Sequence, residues 1–241
     1  VRTPRTLLAA FGLAVVVDLA SLAVGFEPGH AVAKPLLMPL LAAWAALRGA
    51  PRLLVVALLF GWGGDTLLLS DAEPAFLAGM ASFAVGHVCY LALFRAHGRR
   101  NTAPRARTGL IALGYAAALT GTVALLWPDL PAGLRVPVAA YSALLTAMAY
   151  GALTRLGLLA GLGGALFMLS DTLIATGVAD WPQLPGPDFW IMLTYIAAQF
   201  LLTRGTLGVR HTAQGAPDAG PGGRGEQRPG RTDDPVRPGR P

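Results

Sequence analysis

The run Leu58-Leu59-Phe60-Gly61-Trp62-Gly63-Gly64-Asp65-Thr66-Leu67-Leu68-Leu69 is an apolar stretch with one carboxylate inside it. A second copy follows later as Gly163-Gly164-Ala165-Leu166-Phe167-Met168-Leu169-Ser170-Asp171-Thr172-Leu173-Ile174-Ala175. Both read small residue, Asp, Thr, Leu, then more apolar residues. A carboxylate in hydrocarbon is expensive, and such groups face a bundle interior or a water-filled cavity. Two matching ones point to a polar site built twice. The competing account is a pair of structural acids that only hydrogen-bond neighbouring helices.

The rest of the composition agrees with a membrane setting. Hydrophobic residues make up 54% of the 241, charged residues only 13%, and mean hydropathy is +0.54. A soluble domain carries about 25% charged residues, so the chain reads as an integral membrane protein. The net charge of +6 is no sign of nucleic-acid binding, because the arginines are spread over loops and a tail rather than gathered on one face. Cys89 is the single cysteine, so no intrachain disulfide forms. Arg2 and Arg5 precede a first apolar run of about 20 residues, long for the core of a signal peptide and long enough to span. We read it as a retained helix.

Breaks at charge, Pro and Gly clusters divide the chain into eight apolar segments, 6–26, 31–48, 51–70, 74–94, 108–127, 134–153, 156–178 and 187–208. Only Thr154 and Arg155 separate the sixth from the seventh. Trp44, Trp62, Trp127, Trp181 and Trp190 fall mostly near segment ends, as interfacial aromatics do. Eleven arginines, from Arg2 to Arg204, fall in the termini and loops of one side, whereas the other side has Arg135 as its only arginine among Glu27, Asp71, Glu73, Asp129, Asp180 and Asp188. The positive-inside rule then predicts a multi-pass protein of the plasma membrane with both termini cytoplasmic. The expected fold is all-α, a polytopic bundle of about eight transmembrane helices over 1–208. Residues 209–241, rich in Gly, Pro and Arg, are expected to form a disordered cytoplasmic tail. The two Asp segments are the third and the seventh, so the halves have one orientation, as in a parallel 4+4 repeat. Both aspartates are expected five to eight residues from the outer helix end.

Other polar residues are drawn toward the pair. Asp65 shares a helical face with Gly61 and Gly64, and Asp171 with Gly164, Phe167 and Met168. The fourth segment carries a stripe of Phe76, Gly79, Phe83, His87, Tyr90 and Phe94, which stacks His87 and Tyr90 one turn apart. The eighth carries Asp188, Met192, Tyr195, Gln199 and Leu202. Lys34, the single lysine against eighteen arginines, sits near the outer face in Lys34-Pro35-Leu36-Leu37-Met38. It is placed to hold an anionic headgroup or to balance an aspartate; a snorkelling interfacial lysine is the plain alternative. Tyr141 lies at a similar depth and can donate a hydrogen bond. Asp18, mid-way along the first segment, has no matching copy and ranks below the pair.

These motifs resemble the YhhN family, which includes lysoplasmalogenases of animal membranes. The likeness covers about residues 6–205 and rests on Lys34-Pro35-Leu36-Leu37-Met38, Gly64-Asp65-Thr66-Leu67-Leu68, Gly79-x-x-x-Phe83-x-x-x-His87-x-x-Tyr90, Leu166-Phe167-Met168-Leu169-Ser170-Asp171-Thr172-Leu173 and Tyr195-x-x-x-Gln199. The resemblance implies an eight-helix membrane enzyme that cleaves the vinyl ether bond of a lysophospholipid, with the bilayer and that lipid as its partners, and it carries over no cofactor or metal requirement. The residues suit the reaction. Vinyl ether cleavage needs a protonated acid, a nearby anion and one water, and two neighbouring carboxylates resist ionising together. The expected catalytic set is Asp65, Asp171 and His87, with Lys34, Tyr90, Tyr141, Tyr195 and Gln199 binding substrate. Repeated halves with paired intramembrane acids also describe a proton-coupled transporter or a lipid-binding membrane protein. A zinc hydrolase built on His87 and the aspartates would have a thin ligand set.

Overall fold

The computed structural model describes residues 2–70, 72–99 and 103–214; the loop residues Asp71 and Arg100 and the expected tail beyond Gln214 lie outside them. Among the described residues there are eight α-helices and no strand. They are α1 (Arg2–Val24), α2 (Glu27–Leu47), α3 (Arg52–Leu67), α4 (Glu73–His97), α5 (Arg105–Leu126), α6 (Ala132–Gly151), α7 (Leu158–Val178) and α8 (Pro187–Gln214). The eight expected segments are all present. Proline marks most of the starts: Pro51, Pro104 and Pro131 stand immediately before α3, α5 and α6, while Pro28 and Pro74 lie in the first turns of α2 and α4. Proline fits there because its fixed φ is already helical and its missing N–H has no intrahelical acceptor. Six helices, α1, α2 and α4 to α7, are long and apolar enough to cross a membrane. The 16-residue α3 is the short one; it is carried between α2 and α4. The chain is a multi-pass helical membrane protein.

Several boundaries differ from the expected ones. The second helix starts at Glu27 rather than 31, so Pro35 and Pro39 lie inside it. The third ends at Leu67, which puts Asp65 in its last turn; the polar stretch before Pro74 takes the chain out of helix early. Asp171, by contrast, is a full two turns short of Val178. The sixth and seventh helices are separated by a π-helical turn, Ala152–Leu156, and by Gly157 at φ 95°. Only glycine adopts that φ without strain, and it allows α7 to start directly. The last helix runs to Gln214, past the expected limit at 208.

Each aspartate-bearing helix packs most extensively on the helix that follows it, α3 on α4 and α7 on α8. The second pair is drawn close by glycine: a Cβ at Gly163 would come 2.9 Å from both the Ala198 carbonyl oxygen and the Leu202 nitrogen. Small residues permit such backbone approach where hydrocarbon outside gives no hydrophobic drive. The main core joins α1 to α4 with α6, α7 and α8 through residues such as Leu37, Leu41, Leu58, Tyr90, Met148, Phe167 and Leu202. A smaller outer core gathers Leu126, Leu130, Leu134, Val138 and Ala179. Helix α5 contributes one buried residue, Leu126, and leans mainly on α6.

Candidate functional site

Two hydrogen-bonded chains of side chains start on α4 and end at the two aspartates. In the first, the Tyr90 hydroxyl donates to Gln199 Oε1 at 2.6 Å, Gln199 Nε2 donates to Tyr195 Oη at 3.3 Å, and that hydroxyl donates to Asp65 Oδ2 at 2.9 Å. In the second, His87 Nε2 meets Tyr141 Oη at 3.0 Å, and the Tyr141 hydroxyl donates to Asp171 Oδ2. Because the hydroxyl proton is directed at the carboxylate, Nε2 is the protonated nitrogen and donates to the tyrosine oxygen. His87 Nδ1 is buried without a hydrogen-bond partner among the described residues. His87 and Tyr90, stacked on one helix as their spacing predicts, thus feed opposite aspartates.

The local sequence explains why these groups meet. Gly61 leaves room beside Asp65: a Cβ there would sit 3.0 Å from Gln199 Nε2 and 3.1 Å from Tyr195 Oη. Gly64 makes room for the Phe83 ring, which a Cβ would meet at 2.4 Å. Phe83, Phe167 and Tyr195 pack edge to face with centroids 5.4–6.2 Å apart, and His87 lies edge-on to Phe167 at 4.8 Å. This aromatic group stands between the two chains. Ser170, beside Asp171, donates to the Ile191 carbonyl at 3.1 Å and ties α7 to α8.

The two carboxylates have different surroundings. Asp65 is 2% exposed. Asp171 is half-buried and lies on the wall of a largely apolar pocket between α4, α5, α6 and α7. Tyr141, Phe83, Met168 and Arg135 share that wall. Of the expected site residues, Asp171 and Tyr141 reach the pocket. His87 stands one hydrogen bond behind it, and Asp65, Tyr90, Tyr195 and Gln199 form a buried network on the far side of the aromatic group. Lys34 is absent from the pocket lining.

Two residues that sequence reasoning passed over belong in this picture. His30 Nδ1 bonds Asp18 Oδ1 at 2.8 Å, an ion pair when the imidazole is protonated, and Asp18 is fully buried. No periodicity links residues 18 and 30 across a turn. Arg135 lines the pocket, and its signal was present: it is the only arginine on the acidic side of the expected topology.

Residues 29–206 match the YhhN family. The chain belongs to the YhhN family. This YhhN protein is 39% identical over 147 residues to the pig (Sus scrofa) lysoplasmalogenase TMEM86B, covering 61% of this chain and 60% of that one. It is 38% identical over 159 residues to human (Homo sapiens) lysoplasmalogenase TMEM86B, 66% and 65% covered. To a lysoplasmalogenase of Mycobacterium bovis it is 32% identical over 215 residues, with 80% of each chain covered. The match thus spans about 60–65% of the length of these two animal relatives. No solved structure matches the YhhN chain.

Proposed function

We propose that this protein is a lysoplasmalogenase-like enzyme of the plasma membrane that cleaves the vinyl ether bond of a lysophospholipid, with both termini cytoplasmic. The observation that carries the reading is Asp171, held by Tyr141 on the wall of an apolar pocket. The names of the relatives support it. With Tyr141 donating to Oδ2, Oδ1 of Asp171 is left to hold a proton over the pocket. That proton passes to the β-carbon of the alkenyl chain, and the α-carbon becomes an oxocarbenium centre beside the carboxylate just formed. Water adds to the α-carbon and returns a proton to Asp171. The hemiacetal collapses, its hydroxyl proton moving to the glycerol oxygen, to give a fatty aldehyde and a glycerophospho-alcohol. Atoms and protons balance without a further reactant.

Asp65 in this scheme does not touch substrate. Bonded by Tyr195, it supplies the fixed negative charge that opposes ionisation of Asp171 and favours the developing cation. His87 sets Tyr141, and so sets Asp171. The test is aldehyde release from a lysoplasmenyl lipid by purified protein, with Asp171→Asn and Asp65→Asn alongside. Wild-type rates in both variants would make the aspartates structural. A wild type that releases no aldehyde but moves lipid or protons in vesicles would be a transporter instead. Reporter fusions after Gln214 and between α4 and α5 check the topology, and an outside signal at either place would overturn it.

A further inference from the structure

Arg135 lies one turn into α6, at the outer end of the pocket whose wall includes Asp171. Its Nε donates to the Leu130 carbonyl at 3.1 Å and its Nη2 to the Pro128 carbonyl at 3.0 Å. These two bonds fix the guanidinium against the α5–α6 connection and leave the rest of its five N–H groups for another acceptor. Among the described residues no carboxylate pairs with it. The nearby Asp129 is turned to the Trp181 indole, whose Nε1 donates to it at 2.8 Å. A half-buried, held and unneutralised guanidinium is suited to a phosphate, which it can meet with two parallel bonds.

The spacing fits one kind of ligand. Tyr141 is six residues further along α6, about 9 Å deeper at 1.5 Å per residue. In a 1-alkenyl lysophospholipid seven bonds separate the phosphorus from the β-carbon, about 8 Å when extended. A phosphate at Arg135 therefore brings the reacting carbon to the level of the Tyr141–Asp171 pair. Beyond it the wall becomes apolar with Ala118, Leu145 and Met168. Leu119, Val123 and Ala139 line both this pocket and a shallow groove on the surface between α5 and α6, where a long chain can leave toward hydrocarbon.

We propose that Arg135, not Lys34, holds the phosphate of a single-chain phospholipid, and that α5, α6 and α7 enclose its chain at a depth set by that contact. The inference rests on the hydrolase reading for its substrate class, but its test does not require turnover. Purified full-length protein is titrated with a saturated 1-O-alkyl lysophospholipid, with 1-O-alkyl glycerol, which lacks the phosphate, and with inorganic phosphate. Binding is followed by tryptophan fluorescence and thermal shift. Wild type is expected to prefer the phospholipid by about tenfold or more; Arg135→Gln removes that preference, and Arg135→Lys, which keeps the charge and covers the case of an unstable glutamine variant, retains part of it. Inorganic phosphate alone should not compete at matching concentration. Equal binding of both lipids by wild type, or a preference unchanged in Arg135→Gln, overturns the proposal, as does free phosphate competing as well as the lipid. Aldehyde release that persists while Arg135→Gln keeps the preference would remove this inference and leave the hydrolase reading standing.

Discussion

The surroundings of Asp65 and Asp171 grow from one short motif and end up unlike. Around Asp65 the helix stops within a turn, Gly61 and Gly64 draw Tyr195 and Phe83 inward, and α2, α4 and α8 close over the carboxylate. Around Asp171 the helix continues to Val178, and the neighbouring α5 lies against the bundle with a single buried residue. One acid is sealed and bonded by Tyr195; the other meets a pocket. The motif supplies the carboxylate, and the neighbouring helices decide which task it can perform.

The largest expected effect tests that division of labour. Asp171→Asn should lower aldehyde release by about 10²–10⁴-fold, the usual worth of general acid catalysis, with little change in thermal stability because Asn still accepts the Tyr141 bond. Asp65→Asn should cost turnover too and also lower the melting temperature, since the amide N–H groups it adds find no water in that sealed site. An identical stability response in the two variants would break the comparison.

Stability measurements on glycines sharpen it further. Gly64→Ala places a methyl in the Phe83 ring and should destabilise by about 1–3 kcal/mol, the range for overpacking; unchanged unfolding in detergent would mean the sealed side is loose. On the open side, Thr122→Trp on the pocket face of α5 should raise KM by about tenfold with kcat and stability little altered; an unchanged KM would show that substrate does not use this space. The smallest effect is expected at Gly121 on α5, where an added Cβ meets nothing within 4 Å. Gly121→Ala should therefore be neutral or stabilising by up to about 1 kcal/mol through backbone entropy. A clear loss there would mean that α5 is packed as tightly as the helices around Asp65.

The eight helices and the stripe on α4 were legible because hydrocarbon permits few exceptions: apolar runs must be helices, and the acids within them mark polar interiors. Tyr141 was legible from its depth alone. The bond from Tyr195 to Asp65 was not, since it joins residues 130 apart and depends on the way α8 crosses α3. The short α3 escaped notice since hydropathy continues through Leu68 and Leu69 after the helical hydrogen bonds have stopped. Arg135 was seen as an exception to the charge pattern, but only the pocket shows what such an exception faces.

The loose seat of α5 has a kinetic consequence. On the proposed entry between α5 and α6 the lipid is met in two dimensions, so the relevant concentration is the substrate's share of the leaflet rather than its amount per volume of buffer. Diluting the substrate with inert phospholipid at constant bulk concentration should slow the reaction, whereas adding more vesicles of the same composition should leave the rate per enzyme unchanged.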